Sequence, residues 1–210
     1  MKFTLALVAL LFSSISFAES CKKVTKCVEL TTQLTGTKYL FGKNVFTGSE
    51  ELEQEITFTK EDAELVLSEV LFTFGFAKLP TDVAGVWRIF PASDIRYAAL
   101  PQLEGSKDKS PEIPLGMDFY MLTYKGVAGS DLGEIARNLR PMLSRFGRII
   151  DSGNMLMISD TAATLKKLLT VIKAQDVPLS KEQKAKRDAR DTRLHQLKMI
   201  EFKKPDPHRP

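Results

Sequence analysis

Between residues 55 and 95 the spacing of the apolar side chains changes period twice, and that excludes both an all-helical and an all-strand fold for the stretch. Ile56-Thr57-Phe58 reads as the end of a strand. Thr59 is a suitable N-cap, and Asp62 falls at the third helical position. Together they make a capping-box-like start in which side-chain oxygens satisfy orphan amides. Ala63, Leu67, Val70, Leu71 and Phe74 then recur at spacings of three and four, which places them on one face of a helix. Gly75 supplies the positive-φ stop, and Phe76 restarts the chain as the first of two strands ending near Pro91. Burying five such side chains at roughly 1.5–3 kcal/mol each makes this helix the main contributor to its domain's core. Glu61, Asp62, Glu64 and Glu69 fall at the helix start or on its polar side and read as a solvated face.

The chain ahead of this stretch opens with Lys2, an apolar run over residues 3–12, and small residues closing on Ser16-Phe17-Ala18. This is the pattern of an export signal cleaved before Glu19, so residues 1–18 are expected to be a signal peptide. About ten apolar residues are too few for a membrane anchor, which needs roughly 20. The mature chain contains no later segment apolar enough to span a membrane. Export places Cys21 and Cys27 in an oxidising compartment, where a disulfide between them is open to the chain. Six residues apart on one helix their α-carbons would be about 9 Å apart, beyond the ~7 Å limit for a bridge. A bond therefore requires Cys21 to lie outside the helix. The alternative is a free, buried Cys27 on the face of Val24, Val28 and Leu34.

Residues 24–34 read as a helix ending at Thr35-Gly36, followed by a strand at Tyr39-Leu40-Phe41 and a turn at Gly42-Lys43-Asn44. This gives one compact mixed domain over residues 19–96. Residues 97–115 hold Pro101, Gly105, Pro111 and Pro114 around a charged, serine-containing middle and read as a linker. A second module follows over 116–176: a strand at 119–124, a helix striped by Leu132, Ile135, Ala136, Leu139, Met142 and Leu143, strands at 148–150 and 155–158, and a helix opened by Asp160. Pro141 is expected to bend or end the first of these helices. The fold class is thus α+β, two small domains of strands and helices, the second KH-like in topology, with a charged, helix-forming tail over 177–210.

The order of elements in the first module carries a family resemblance, through residues 34–41, Phe58-Thr59-Lys60-Glu61-Asp62-Ala63, Phe74-Gly75-Phe76 and Trp87-Arg88-Ile89-Phe90-Pro91-Ala92. The module resembles the first N-terminal periplasmic domain of secretins, the outer-membrane channels of type II secretion and type IV pilus systems. The second module resembles the second such domain through residues 139–144, 151–155 and 156–162. In the family a strand precedes the first helix. Here only residues 19–25 remain for it after cleavage, so it is expected to be very short or absent, leaving an open sheet edge to which a partner strand can add.

Gly126-Val127-Ala128-Gly129 spells the GxxG of a nucleic-acid-clamping loop, but it joins a strand to a helix, its two middle residues are apolar, and no nucleic acid is expected as a partner. The charge distribution agrees. Residues 177–210 contain ten Lys and Arg against five Asp and Glu, so the basic character of the chain belongs to its tail. No Gly-rich phosphate loop, nucleophile beside a base, or metal-ligand spacing is present, and the expectation is a protein that is not an enzyme and takes no cofactor. The resemblance implies instead a periplasmic protein–protein interaction component of a secretion or pilus apparatus, associated with the outer-membrane complex. Secretin subunits or inner-membrane components are the implied partners, with self-association into rings, and Tyr39, Phe41 and Trp87 are the candidate contact residues. Two alternatives stand beside it: a signalling module like that at the front of TonB-dependent receptors, and nucleic-acid binding in DNA uptake.

Overall fold

The computed structural model describes residues 19–203, which divide into two compact units. The expected signal peptide lies outside the described residues, as do the last seven residues of the tail. The architecture is α+β throughout, with strands β1 to β9 and helices α1 to α5 in chain order.

The first unit comprises residues up to Ala98 together with Leu115–Asp118. Strand β1 (Glu19–Lys23) pairs antiparallel with β3 (Glu51–Phe58), and β2 (Lys38–Leu40), β5 (Val86–Pro91) and β4 (Phe76–Pro80) form a second sheet in that order. In it β2 runs parallel to β5 and β4 antiparallel. Helices α1 (Val24–Thr35) and α2 (Ala63–Thr73) pack against each other and supply most of the core: Val24, Cys27, Val28 and Leu30 from one, Leu67, Val70 and Leu71 from the other, closed by Phe58, Phe76 and Ile89. Gly36 ends α1 at φ 77°, and Gly75 follows α2 at φ 81°, both in the left-handed region that favours glycine.

Of the two alternatives for the leading strand, the very short one holds: β1 is five residues long and pairs with β3, where a ladder and a disulfide both hold it. Two other expectations for this unit are corrected. Helix α2 starts four residues after Thr59, since Thr59 donates its amide to Asp62 Oδ1 at 2.6 Å and Asp62 itself sits at the N-cap position. Phe41 lies just beyond β2, because the ladder to β5 ends at Leu40 opposite Arg88.

The second unit comprises Ala99–Pro114 and the chain from Phe119 onward. Its sheet runs β6 (Gln102–Ser106), β7 (Phe119–Lys125), β9 (Met155–Thr161), β8 (Arg148–Ser152). Helices α3 (Leu132–Leu139) and α4 (Ala162–Gln175) cover one face, burying Leu122, Tyr124, Leu156 and Ile158 from the strands against Ile135, Leu139, Leu165 and Leu168. The segment expected as a linker is therefore a correction: it contributes β6, parallel to β7, with Leu103 packed on the core. The bare β7 backbone gains a ladder from it that outweighs the weak strand character of Gln-Leu-Glu-Gly-Ser.

One helix start differs, and one helix ends where Pro141 was expected to bend or end it. Thr161 caps α4 by accepting from the Thr164 amide, whereas Asp160 is buried and accepts from the amides of Ser144 and Thr161. Leu139 ends α3, and Arg140-Pro141-Met142 continue as a single 3-10 turn. The tail helix α5 (Lys181–Lys203) opens with a reciprocal capping box in which Ser180 and Gln183 exchange bonds of 2.9 and 3.2 Å.

Candidate protein-interaction site

Tyr39, Phe41 and Trp87 lie at one end of the first unit, and the structure separates their roles. Tyr39 and Trp87 are direct neighbours across the β2–β5 ladder. Both turn toward the interior, where a charged cluster lies beneath the sheet. Tyr39 donates its hydroxyl to Glu64 Oε1 at 2.7 Å. Lys78, from β4 and only 2% exposed, binds Glu64 Oε2 at 2.8 Å and Asp118 Oδ2 at 3.1 Å, and its ammonium sits 4.4 Å from the Trp87 ring centroid.

Burial, reinforced by the bond to Glu64, pushes the Tyr39 phenol well above its ordinary value. Burial also raises the Asp118 carboxyl, against the pull of Lys78. Burial works the same way on Glu64, but there the bonds from Lys78 and Tyr39 win and hold its carboxyl below the usual range. The two carboxylates are thus separated by their surroundings, and the one buried cation has two charged hydrogen-bond partners and an aromatic face. Glu64, expected on a solvated face, is corrected to a half-buried partner of this cluster. Its partners are 14 and 25 residues distant in sequence, which local periodicity does not register.

With Tyr39 and Trp87 committed to internal bonds, what β2 offers outward is its backbone edge and the side chains on its other face. Among the described strands β2 is paired on one side only. Lys38 and Leu40 alternate away from Tyr39, and Leu40 is 53% exposed. Phe41, 45% exposed, meets Phe46 edge to face at 4.9 Å, and Phe46 meets Phe76 at the same distance. An exposed Leu-Phe pair therefore sits beside a free strand edge, fixed from below by an aromatic stack. Lys38, Lys43 and Arg88 surround it, all exposed, and give the patch a positive rim. In the sequence Leu40 and Arg88 were marked only as parts of the strand at 39–41 and of the segment around Trp87, and Lys38 was not marked; strand alternation about Tyr39 is the signal for Lys38 and Leu40, and the ladder to β5 for Arg88.

Cys21 and Cys27 are joined by a disulfide with α-carbons 5.2 Å apart. Cys21 stands in β1 opposite Ile56, outside the helix, which is the arrangement a bridge needs at this spacing. Both are essentially inaccessible, at 1% and 0% exposure. The bond ties β1 to the first turn of α1.

In the second unit the GxxG-like loop is occupied by the chain itself. Val127 donates its amide to the Asp176 carboxylate, which also receives the Tyr124 hydroxyl at 2.8 Å. Gly126 donates its amide to Asn154, and Gly129 accepts from Leu179. These bonds tie the loop into its own fold and use amides that a phosphate clamp would need. A cleft of about 430 Å³ lies between α3 and α5, where Arg190 approaches Asp131 at 3.5 Å and Glu134 at 3.7 Å. Among the described residues no group of His, Cys, Asp and Glu is arranged to hold a metal ion, and no helix is long and apolar enough to cross a membrane.

No family model and no curated protein matches the chain. Solved structures do match. The chain is similar to a structure described as XcpQN012, with 16% identity over 79% of this chain and 67% of that one and a TM-score of 0.29. It is similar to the N-terminal domain of the secretin XcpQ from Pseudomonas aeruginosa, with 15% identity, coverage of 79% and 67%, and a TM-score of 0.28. It is also similar to the GspC-GspD complex of the type II secretion system of enterotoxigenic Escherichia coli, with 16% identity, coverage of 77% and 98%, and a TM-score of 0.25. These TM-scores are low, and the functional reading rests on this chain's own residues.

Proposed function

We propose that this protein is a periplasmic protein–protein interaction component of a secretion or pilus apparatus. It works by binding, without turnover, and its contact site is the open edge of β2 with Leu40 and Phe41. The observation that carries this reading is the juxtaposition of an unpaired strand edge with two exposed apolar side chains and a positive rim, anchored to a charged cluster through the Tyr39–Glu64 bond. Strand addition uses these parts: main-chain bonds along the edge give affinity, and a side-chain anchor next to it gives selectivity. The sequence resemblance of both modules to secretin periplasmic domains supplies the partner class, a secretin subunit or an inner-membrane component of the same machine. The disulfide between Cys21 and Cys27 is in keeping with an oxidising compartment.

The experiment is affinity capture from periplasmic and membrane extracts with the mature protein, compared with Leu40→Glu and Phe41→Glu. The expected result is recovery of a secretin or inner-membrane apparatus component that both substitutions abolish. Capture of such a component undiminished by either substitution removes β2 as the site. Recovery of none, together with normal secretion and piliation in a deletion strain, removes the function.

A further inference from the structure

Among the described residues α5 is the longest helix, 23 residues or about 34 Å, yet it has no apolar seam. Of its side chains from Lys181 to Leu194 only Arg187 and Arg190 are partly covered, and Ala185, Ala189 and Leu194 are exposed. A surface helix ordinarily buries an apolar stripe, and that burial supplies most of its attachment. Here the attachment is made at two points. At the root, Leu179 donates its amide to the Gly129 carbonyl, and Ser180 opens the helix with its capping box. About 15 Å further along the axis, Arg190 forks between Asp131 and Glu134 at the N-terminal turn of α3. The cleft of about 430 Å³ lies between these helices, so their surfaces are not closely packed.

We propose that α5 is a detachable arm, docked on α3 by the Arg190 fork and able to swing out about its root at Leu179 and Ser180 without unfolding either helix. The docking pairs are long, 3.5 and 3.7 Å, and the Arg190 and Glu134 side chains are 38% and 57% exposed, so salt screens them. Both arginines keep an acidic neighbour on their own helix when they leave: Arg187 meets Asp188 at 3.3 Å, and Arg190 meets Asp191 at 3.5 Å. Asp131 keeps its capping bond, because Oδ1 accepts from the Glu134 amide at 2.9 Å and it is Oδ2 that faces Arg190. The capping box and the Glu182–Lys186 pair, one turn apart, support α5 from within. Swung out, the arm uncovers the carboxylates of Asp131 and Glu134 for a cationic group of a partner. Docked, it fills that place with the chain's own guanidinium.

Spin labels at Lys167→Cys and Ala189→Cys in the full mature chain measure the distance between α4 and α5. Both positions are exposed, and the native cysteines are buried and bonded, so they take no label. At low salt one narrow distance is expected. Arg190→Ala, or about 0.5 M salt, is expected to broaden it and to raise the ratio of open to docked arms about two- to tenfold, which is the loss of two partly exposed ion pairs. Glu134→Gln removes one of the pairs and is expected to fall between. The helical circular dichroism signal should not change in any of these. A distance that stays narrow both in Arg190→Ala and at high salt overturns the proposal. So does broadening that comes with loss of helical signal, because the helix then melts instead of swinging.

Discussion

Replacing Lys78 by methionine removes the one cation of the cluster beneath β2 while nearly keeping its volume. Glu64 and Asp118 then remain partly buried without their shared partner. Breaking a buried ion pair from one side costs about 3–5 kcal/mol. The Glu64 side chain is 37% exposed, so water takes over part of the lysine's role there and its share must be discounted, whereas Asp118 at 18% has little such relief. That leaves about 3 kcal/mol at pH 7. The sign of the pH dependence follows from Asp118. Burial raises its carboxyl in the folded state, so its contribution to stability is fully present below the unfolded value near ~4 and falls away as pH rises through the folded value. Lys78 opposes that fall, and without it the fall steepens. The cost of Lys78→Met should therefore shrink by at least ~1 kcal/mol between pH 7 and pH 4. Urea unfolding followed by tryptophan fluorescence reads the right region, because Trp87 is the chain's single tryptophan and stands over Lys78. A cost below about 1 kcal/mol at pH 7, or one that does not change with pH, would refute the reasoning about the cluster.

Reducing the Cys21–Cys27 bond, which closes a loop with a sequence separation of six, should lower the stability of the first unit by about 2 kcal/mol in urea and increase hydrogen exchange in β1. At Gly147 an added Cβ would fall on the buried Asp160 carboxylate, so Gly147→Ala should destabilise the second unit by about 2–4 kcal/mol in thermal unfolding; a change within about 0.5 kcal/mol would contradict that packing. Asp176→Asn can keep the Tyr124 and Val127 bonds on one oxygen only by setting its NH2 where Oδ1 now accepts from the Val127 amide, and should cost about 1–3 kcal/mol and loosen the GxxG-like loop in exchange experiments. Leu40→Glu, on an exposed side chain, should change stability by no more than about 0.5 kcal/mol, whereas Phe41→Glu also loses the edge-to-face contact with Phe46 and should cost about 0.5–1.5 kcal/mol in urea unfolding.

The helices were legible in the sequence because their apolar stripes are long and their ends are punctuated. Gly36 and Gly75 take the left-handed conformations that their positions called for, and Pro141 marks the end of α3. Strand β6 was not legible, and β1 was foreseen only through the resemblance, as a strand very short or absent. Glu-Ser-Cys-Lys-Lys has one side chain to bury and is held by a ladder and a disulfide, and Gln-Leu-Glu-Gly-Ser has one leucine to offer and is held by a parallel neighbour. The charged cluster was invisible for a related reason. Lys78 looks like an ordinary strand lysine until β4 folds over α2 and residue 118 arrives 40 positions later. That distance in sequence also explains the site: Tyr39 and Trp87 were recognisable as aromatic residues on strands, but only the ladder between β2 and β5 and their bonding partners show that the strand's outward offer is Leu40, Phe41 and the backbone between them.

The most direct test of the account is a photo-crosslinking amino acid placed at position 41 in cells that express the protein at its native level, with Lys60 as the control position on an unrelated surface. The account predicts a covalent adduct with a secretin or an inner-membrane component of a secretion or pilus machine, formed from position 41, absent from position 60, and lost when Leu40 is changed to glutamate. An adduct from position 60 and none from position 41, or one from 41 that persists in the Leu40→Glu background, would contradict it.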